Sequence, residues 1–139
     1  MKFFHLADLH LGRKLLGESL IEEQRYILEE IMKNVRVEKP DGIFICGDIY
    51  DKYIPSSEAV ALFDSFLEAL VKENCEVFII SGNHDGASRL EFASGLLKKQ
   101  KVHICGTYKG KIESVERKDE YGKLTVYLLP FLRPDMLRA

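Results

Sequence analysis

The sequence predicts an α/β fold in which a βαβαβα order is followed by an antiparallel β-hairpin. Short apolar runs at residues 2–7, 42–46, 76–81 and 102–105 predict buried strands. Segments with apolar residues at helical spacing separate these runs, and a segment of alternating apolar and polar residues follows the last one. This alternation predicts parallel strands joined by right-handed crossovers, with helices covering the sheet.

The length and composition bound the class of protein. The chain has 139 residues, of which 46% are hydrophobic, and this suits one ordinary domain with its own core. Charged residues make up 30% and nearly cancel, leaving a formal net charge of -2. The bulk charge therefore neither favours nor excludes a nucleic-acid partner.

The cysteines and the amino terminus bear on the cellular compartment. Cys46, Cys75 and Cys105 are odd in number and form no C-x-x-C pair, so we expect reduced thiols rather than disulfides or a zinc knuckle. His5 and Asp8 interrupt the apolar opening before a signal-peptide core could form, and no window has the length of a transmembrane helix. We expect a soluble, cytoplasmic protein with no membrane partner.

The first helix follows the first strand and a polar loop. Ser19 and Glu22 have the spacing of a capping box, which predicts that the helix begins there. Pro40 and Gly42 then separate the helix from the second strand. The apolar positions of the helix recur at helical spacing: Leu20, Ile27, Leu28, Ile31, Met32 and Val35.

The second half of the chain completes the predicted order. A segment rich in Ala, Leu, Phe and Val predicts a helix at about residues 57–72, and Ser88 with Glu91 predicts a capping box that opens a third helix. Residues 110–118 and 123–130 alternate with period two and predict the hairpin. The last residues carry two prolines and no clear helix cap, and we expect the domain to continue beyond them.

Polar clusters follow the first three predicted strands. In an open parallel sheet the carboxyl ends of the strands lie along one edge, so clusters distant in sequence converge there. Taken singly, Asp-x-His and Gly-Asp are also common as turns, whereas turn chemistry does not explain the His-Asp that follows Gly-Asn. The clusters are Asp8 and His10; Gly47, Asp48 and Asp51; and Gly82, Asn83, His84 and Asp85.

The donor types in these clusters predict a pair of divalent cations. Asp, His and Asn offer oxygen and imidazole donors without thiolate, which suits Mn, Mg, Fe or catalytic Zn. In two-metal sites the ions lie roughly 3.5 to 4 Å apart and stabilise the attacking and leaving oxygens of a phosphoryl displacement. We expect Asp48 to bridge the ions, Asp8 and His10 to hold one, and Asn83 to help hold the other.

His84 and Asp85 are the predicted catalytic residues. His84 directly follows a ligand, so its side chain should point elsewhere and stabilise or protonate the leaving oxygen, with Asp85 orienting the imidazole. A third metal ligand and a simple turn residue are the alternatives for His84. Gly47 and Gly82 are expected where a Cβ atom would crowd the metals.

The three motifs, in this order and with this spacing, resemble the calcineurin-like metallophosphoesterase superfamily. The longer stretches HLADLHLGR, GDIYD, SGNHDGASRLEFAS and LPFLRP are similar to one branch of it, the SbcD-type subunits of bacterial DNA nucleases. The resemblance covers essentially the whole chain. It implies the first half of a four-layer α/β/β/α sandwich, with residues 1–139 as the N-terminal part of a nuclease domain and with a later metal-ligand segment and a capping domain absent.

The resemblance also implies an activity and partners. A protein of this branch would cut DNA with Mn²⁺, or with Mg²⁺, as a double-strand 3′-to-5′ exonuclease and a hairpin or single-strand endonuclease. It would act with an SbcC-type ATPase in DNA repair, recombination and replication. Asp8, His10, Asp48 and Asn83 match family metal ligands, and His84 matches the catalytic histidine.

The sequence departs from the family in its remaining histidines. The family completes its site with later Gly-His and Gly-His-x-His segments, whereas His5 and His103 lie inside predicted strands. His5 resembles a family position beside the site, although a satisfied strand histidine is the favoured interpretation, and His103 is predicted to be structural or exposed. We expect this chain alone to bind metal weakly and to be a poor nuclease.

Two sets of residues are predicted to contact partners. The second helix is apolar over much of its circumference, so either a neighbouring helix or a homodimer covers the excess. The resemblance favours the homodimer, formed by this helix and by the one after the third cluster. The predicted dimer residues are Leu62, Phe63, Phe66 and Leu67, and the predicted DNA contacts, with solvated surface as the alternative, are Arg13, Lys14, Lys52 and Arg89.

Three alternative functions stay open from the sequence. The chain could belong to a metallophosphatase or phosphodiesterase that acts on non-DNA substrates. It could instead be a receiver-like or nucleotide-binding α/β module that uses the Asp cluster as a phosphoacceptor, which would need no second metal. The third alternative is a non-catalytic dimerisation unit.

Overall fold

The computed structural model describes residues 1–137, and a four-stranded parallel sheet forms its centre. Small two-stranded hairpins precede the first helix and follow the last parallel strand. In chain order the elements are β1 (Phe3–Leu6), β2 (Lys14–Leu15), β3 (Glu18–Ser19), α1 (Ile21–Glu38), β4 (Gly42–Cys46), α2 (Ser57–Lys72), β5 (Glu76–Ile80), α3 (Ala87–Leu90), α4 (Ser94–Leu97), β6 (Val102–Cys105), β7 (Glu113–Asp119) and β8 (Gly122–Leu128).

The central sheet has the order β1-β4-β5-β6, and all its neighbours are parallel. One row of paired residues crosses the whole sheet, from Leu6 through Ile45 and Ile79 to Ile104. The four predicted strands are confirmed. Because β1, β4 and β5 are adjacent and parallel, the segments that follow them leave the sheet at the same edge.

Helices α1 and α2 cover one face of the sheet. The buried residues Leu28 and Met32 of α1 and Phe63 of α2 pack in one core with Ile43 and Ile79 of the sheet. Each large apolar side chain buried in this way stabilises the fold by roughly 1.5–3 kcal/mol. The two helices also pack against each other, which accounts for the excess of apolar residues on α2.

This packing corrects the predicted dimer residues. Leu62, Phe63 and Phe66 are buried within the core of the chain itself, and Leu67 packs against the same core. Leu62, Phe63 and Phe66 therefore offer little surface to a second protomer, whereas a dimer contact of the half-buried Leu67 stays a prediction. The neighbouring helix, which the sequence left as the alternative, is what covers them.

The hairpin of β7 and β8 covers the other face of the sheet. Phe3 stacks on Phe44 with ring centroids 4.9 Å apart, and Phe78 lies 5.4 Å from Phe44. Val126 and Leu128 of the hairpin belong to the same apolar cluster as these rings. The predicted hairpin is confirmed, and the α/β order with a second β layer agrees with the first half of an α/β/β/α sandwich.

The first predicted capping box is wrong. Ser19 lies in β3, and the cap position of α1 is Leu20, whose side chain makes no capping hydrogen bond. Glu22 instead pairs with Arg25, with 3.4 Å between Oε2 and Nε. The sequence missed the hairpin of β2 and β3, which ends at Ser19, one residue before the cap position, and from there Oγ of Ser19 accepts from the backbone N–H of Ile21 at 3.4 Å.

The third predicted helix is broken into two short ones. Ala93 has φ 59 between α3 and α4, and a 3-10 turn at Lys98–Gln100 follows. The carboxylate of Glu91 does not cap a helix; it accepts hydrogen bonds from the backbone N–H groups of Gly106 and Thr107. Burial opposes its ionisation, but these bonds and Lys109 outweigh it and lower the pKa of Glu91.

The cysteines are reduced, as the sequence predicted. Cys75 and Cys105 are buried and Cys46 is half-buried. Burial raises the pKa of the Cys75 thiol to about 11. No helix within residues 1–137 combines the length and apolar character that crossing a membrane requires.

Candidate metal centre

The loops that follow β1 and β4 run side by side at the carboxyl edge of the sheet. The backbone N–H of Asp8 donates to the carbonyl of Gly47 at 3.2 Å, and that of His10 donates to Asp48 at 2.9 Å. The N–H of Asp51 in turn donates to Leu11 at 3.1 Å. These bonds extend the pairing of β1 with β4 beyond the strands and fix the two loops against each other.

The side chains of Asp8, His10 and Asp48 meet at this edge. One donor atom from each lies within 4.8 Å of the others, and no second such group occurs among the residues that the structure describes. His10 Nε2 lies 3.8 Å from an oxygen of Asp8 and 3.8 Å from an oxygen of Asp48. The side chains of His10 and Asp48 are 17% and 14% exposed, whereas that of Asp8 is 72% exposed, so the cluster opens to solvent on the Asp8 side.

The donor set fits a divalent cation. His10 turns Nε2 toward both carboxylates, while its buried Nδ1 lies 3.4 Å from Oδ1 of Asp51 and makes no hydrogen bond of good geometry. Histidines that bind metals commonly have a carboxylate behind the second ring nitrogen, which fixes the ring and its tautomer. Oxygen and imidazole donors without thiolate are the ligands of Mn, Mg and catalytic Zn.

The backbone is strained at all three of these residues. Asp8, His10 and Asp48 have φ of 56, 45 and 50, and they are three of the eight non-glycine residues with positive φ in the described chain. A left-handed conformation costs roughly 1–2 kcal/mol for a residue with a Cβ atom. Such strain concentrates at functional sites, where the surrounding hydrogen bonds hold it in place.

Gly47 and Gly82 let the second and third motif loops approach each other. A Cβ atom on Gly47, which has φ 82, would come within 2.9 Å of Cα of Gly82. A Cβ atom on Gly82 would overlap the carboxylate and the backbone nitrogen of Asp48. A Cβ atom at either glycine would therefore crowd the neighbouring loop, and at Gly82 also the Asp48 carboxylate, while the expected crowding of metal ions stays a prediction.

The third loop brings His84 to the cluster, and the metal contact of Asn83 stays a prediction. The backbone N–H of His84 donates to Oδ1 of Asp48 at 3.0 Å, and its ring lies 4.9 Å from the ring of His10 at 83°. Nδ1 of His84 lies 3.0 Å from the carbonyl oxygen of Asp51. Asn83 is exposed in the same loop, directly before the N–H that binds Asp48.

Asp85 has a different role from the one the sequence predicted. Its buried carboxylate accepts hydrogen bonds from the backbone N–H groups of Gly82 at 2.8 Å, Tyr50 at 3.0 Å and Ile49 at 3.3 Å. It therefore joins the second loop to the third. The atom that orients the imidazole of His84 is the carbonyl oxygen of Asp51.

Gln24 is a supporting residue that the sequence analysis missed. Its Oε1 accepts from Gly12 N–H at 2.9 Å, and its Nε2 donates to the carbonyl of His10 at 2.7 Å. Gln24 thus fixes the first motif loop from helix α1. The available signal was its spacing, because Gln24 stands four residues before the buried Leu28 and so is a polar residue on an apolar stripe.

The predicted DNA contacts lie around the cluster. Lys14 and Lys52 line one cavity of about 360 Å³ beside the first two motif loops. Arg13 is exposed at the end of the first loop, and the guanidinium of Arg89 lies 5.1 Å from the centroid of the Tyr53 ring. Their contact with DNA stays a prediction.

The two remaining histidines lie away from the cluster. His5 is exposed on β1, an edge strand of the sheet. His103 is buried on β6, where its Nε2 lies 2.6 Å from Oε1 of Glu76 and its ring stacks on Phe78. The prediction that His103 is structural is confirmed.

The fold and the candidate metal cluster at its carboxyl edge are typical of a phosphoesterase-like α/β domain. Residues 1–132 match the family model described as calcineurin-like phosphoesterase, and the chain belongs to this family. It is 36% identical over 132 residues to the SbcD subunit of the nuclease SbcCD from Staphylococcus epidermidis and 35% identical over 132 residues to that from Staphylococcus saprophyticus. Each match covers 94% of this chain and 34% of the relative, so the chain spans about a third of the length of these relatives.

Proposed function

We propose that this chain supplies part of the two-metal site of a DNA nuclease subunit that acts with an SbcC-type ATPase. The observation that carries the proposal is the meeting of Asp8, His10 and Asp48 donor atoms within 4.8 Å. The family and the two staphylococcal nuclease subunits support it. The activity would be double-strand 3′-to-5′ exonuclease and hairpin or single-strand endonuclease cleavage in DNA repair, recombination and replication, in the cytoplasm.

Two divalent cations, Mn²⁺ or else Mg²⁺, are the cofactors in this proposal. Asp8 and His10 would hold one ion, Asn83 would help hold the other, and Asp48 would be the ligand that they share. Bound ions of this kind polarise a phosphoryl oxygen and lower the pKa of water. Two anionic ligands do not neutralise two dications, so the site keeps a positive charge that favours a phosphodiester.

His84 would transfer a proton through its Nε2 atom. A carbonyl oxygen only accepts, so the 3.0 Å contact with Asp51 requires a proton on Nδ1 of His84. In the neutral ring Nε2 then carries no proton. His84 therefore donates to a leaving oxygen only when the ring is doubly protonated, and it accepts at Nε2 otherwise.

The chain alone should bind metal weakly. His5 and His103 lie away from the cluster, so further histidine ligands of the family kind would have to come from residues outside these 139. Incomplete ligation leaves an ion more solvated and more easily lost. We therefore expect this chain by itself to cut DNA poorly.

A calorimetric titration of the chain with Mn²⁺ tests the metal site. We expect saturable binding that Asp48→Asn weakens more than about tenfold, because the amide cannot replace a bridging carboxylate. Asp64→Asn, at an exposed position of α2, is the matched control and should bind like the wild type. Equal affinities in the two variants would overturn the proposed site.

A second titration separates DNA from other phosphodiesters. Mn²⁺-dependent binding of a fluorescent DNA hairpin is measured in competition with a cyclic nucleotide and with a phosphopeptide. We expect the hairpin to bind more tightly than either. Tighter binding of the cyclic nucleotide or the phosphopeptide would favour a phosphodiesterase or phosphatase that acts on non-DNA substrates.

Homodimerisation is the second candidate function, and the segment after the third motif favours it. Phe92 and Leu96 are 83% and 70% exposed there, in contrast to the buried residues of α2. Two large apolar side chains on one short segment are typical of a surface that another protein covers. In this proposal the second protomer contacts Phe92 and Leu96.

A further inference from the structure

A cavity of about 340 Å³ opens beside the third motif loop. Gly82, Asn83 and Asp85 of that loop are among the residues that line it. This volume lies in the range of natural small-ligand sites, at its lower end. Asn83, to which the proposed function gives a role in the metal centre, is therefore also a lining residue of the cavity.

Three aromatic side chains from separate segments line this cavity. Tyr53 follows β4, Tyr108 follows β6 and Phe131 follows β8. The backbone N–H of Phe131 donates to the carbonyl of Ser81 at 2.9 Å, which fixes that segment against the end of β5. None of these three rings pairs with another aromatic ring within residues 1–137, although the guanidinium of Arg89 lies over one face of the Tyr53 ring.

The charges around the cavity suit a ligand attached to a phosphate. Three backbone N–H groups donate to the buried carboxylate of Asp85. These bonds partly offset its negative charge at the wall of the cavity. Arg133, which pairs with Asp135, also lines the cavity. The guanidinium of Arg89 packs on the Tyr53 ring and adds a further positive charge nearby.

We infer that this cavity takes one unpaired nucleobase of the nucleic acid whose phosphate lies at the metal centre. The inference rests on the proposed function. Stacking on aromatic side chains tolerates any base sequence, because every base has a π-face. A base reaches such a cavity only when it has left the duplex, which single strands, hairpin loops and frayed ends allow at the lowest cost.

A nucleoside without a phosphate tests the cavity independently of the metal centre. Ethenoadenosine is titrated into the metal-free chain, and its fluorescence falls when the base stacks. Tyr53→Leu and Phe131→Leu remove an aromatic ring at exposed positions and keep an apolar side chain. We expect each to weaken binding about 5- to 100-fold, since stacking of one base on an aromatic ring is worth that much.

Two control variants test whether a loss of nucleoside binding comes from the aromatic rings of the cavity. Tyr53→Phe keeps the ring and should retain wild-type affinity, whereas Tyr121→Leu removes an exposed ring at the β7–β8 turn and should change nothing. The inference is overturned if the wild type does not bind the nucleoside, or if the cavity variants bind like Tyr121→Leu. Mn²⁺ titration of the same proteins reports on the metal centre separately, so the two failures are distinguishable.

Discussion

At the scale of single residues, Gly82 has no side chain, and this lets the second and third motif loops lie close together. A methyl group at Gly82 would overlap the carboxylate and the backbone nitrogen of Asp48. We expect Gly82→Ala to displace that carboxylate and to weaken Mn²⁺ binding more than about tenfold in a calorimetric titration. Gly95→Ala is the matched control, because a Cβ atom there meets nothing within 4 Å, and its Mn²⁺ affinity should equal that of the wild type. Similar losses in both variants would contradict this role of Gly82.

Glu76 joins three strands on the far side of the sheet from helices α1 and α2. Its carboxylate accepts from Nε of Arg117 at 2.7 Å and lies 2.6 Å from Nε2 of His103. Burial opposes ionisation, but the hydrogen bonds from Arg117 and His103 outweigh it and hold the pKa of Glu76 below its ordinary value of 4.5. A carboxyl whose pKa is depressed by folding stabilises the protein above the pKa of the unfolded chain, and that contribution is lost as the pH falls.

Because folding lowers the pKa of Glu76, the effect of Glu76→Gln on stability should depend on pH. At neutral pH we expect the substitution to lower the free energy of unfolding by about 2 kcal/mol, the scale of a lost hydrogen bond to a charged group. The difference from wild type should shrink as the pH falls below 4.5. Denaturant unfolding at several pH values measures this difference in the free energy of unfolding. Glu116→Gln, at an exposed position on β7, is the control. A difference that stays constant down to acidic pH would rule out an ionised Glu76 as its source.

At the scale of elements, the cap residue of helix α2 makes a side-chain capping hydrogen bond and that of helix α1 does not, although Oγ of Ser19 accepts from Ile21 N–H at 3.4 Å. Oγ of Ser56 accepts from the backbone N–H of Ala59 at 3.2 Å, whereas Ser19 lies in β3, one residue before the cap position of α1. Loss of a serine cap typically costs about 1 kcal/mol. We therefore expect Ser56→Ala to lower the free energy of unfolding by about 1 kcal/mol, and Ser19→Ala by less than half of that. Equal losses of unfolding free energy in the two variants, measured by thermal or denaturant unfolding, would show that Ser19 acts as a cap.

At the scale of the whole molecule, the proposed contact with a second copy consists of the exposed residues Phe92 and Leu96. Phe92 and Leu96 are exposed, so aspartate at either position should leave the fold intact and weaken self-association. Sedimentation velocity of Phe92→Asp and Leu96→Asp should show a larger monomer fraction than the wild type. Tyr121→Asp, at an exposed turn on the hairpin, is the control. A wild type that is monomeric at all concentrations, or variants that dimerise as it does, would exclude this surface.

The sequence predicted the strands better than the helix boundaries. Continuous apolar runs as short as those at 42–46 and 102–105 are typical of buried strands, and both are strands of the sheet. Capping boxes are short patterns, and both predicted ones failed, the first because Ser19 lies in β3 and the second because the carboxylate of Glu91 has other partners. Glu91 accepts from the backbone of residues 106 and 107, which lie far along the chain, and no local pattern contains that contact.

The sequence by itself determined the order of the four parallel strands, of helices α1 and α2 and of the last hairpin, and the residue types at the carboxyl edge. Apolar periodicity and donor chemistry are local properties, and they sufficed to select Asp8, His10 and Asp48 as candidate ligands. Only the tertiary structure decided that Asp85 joins two loops, that the apolar surplus of α2 faces α1, and that Asp51 holds the ring of His84. Those assignments depend on which hydrogen-bond acceptor or apolar surface lies nearest in space, and the folded chain sets these distances.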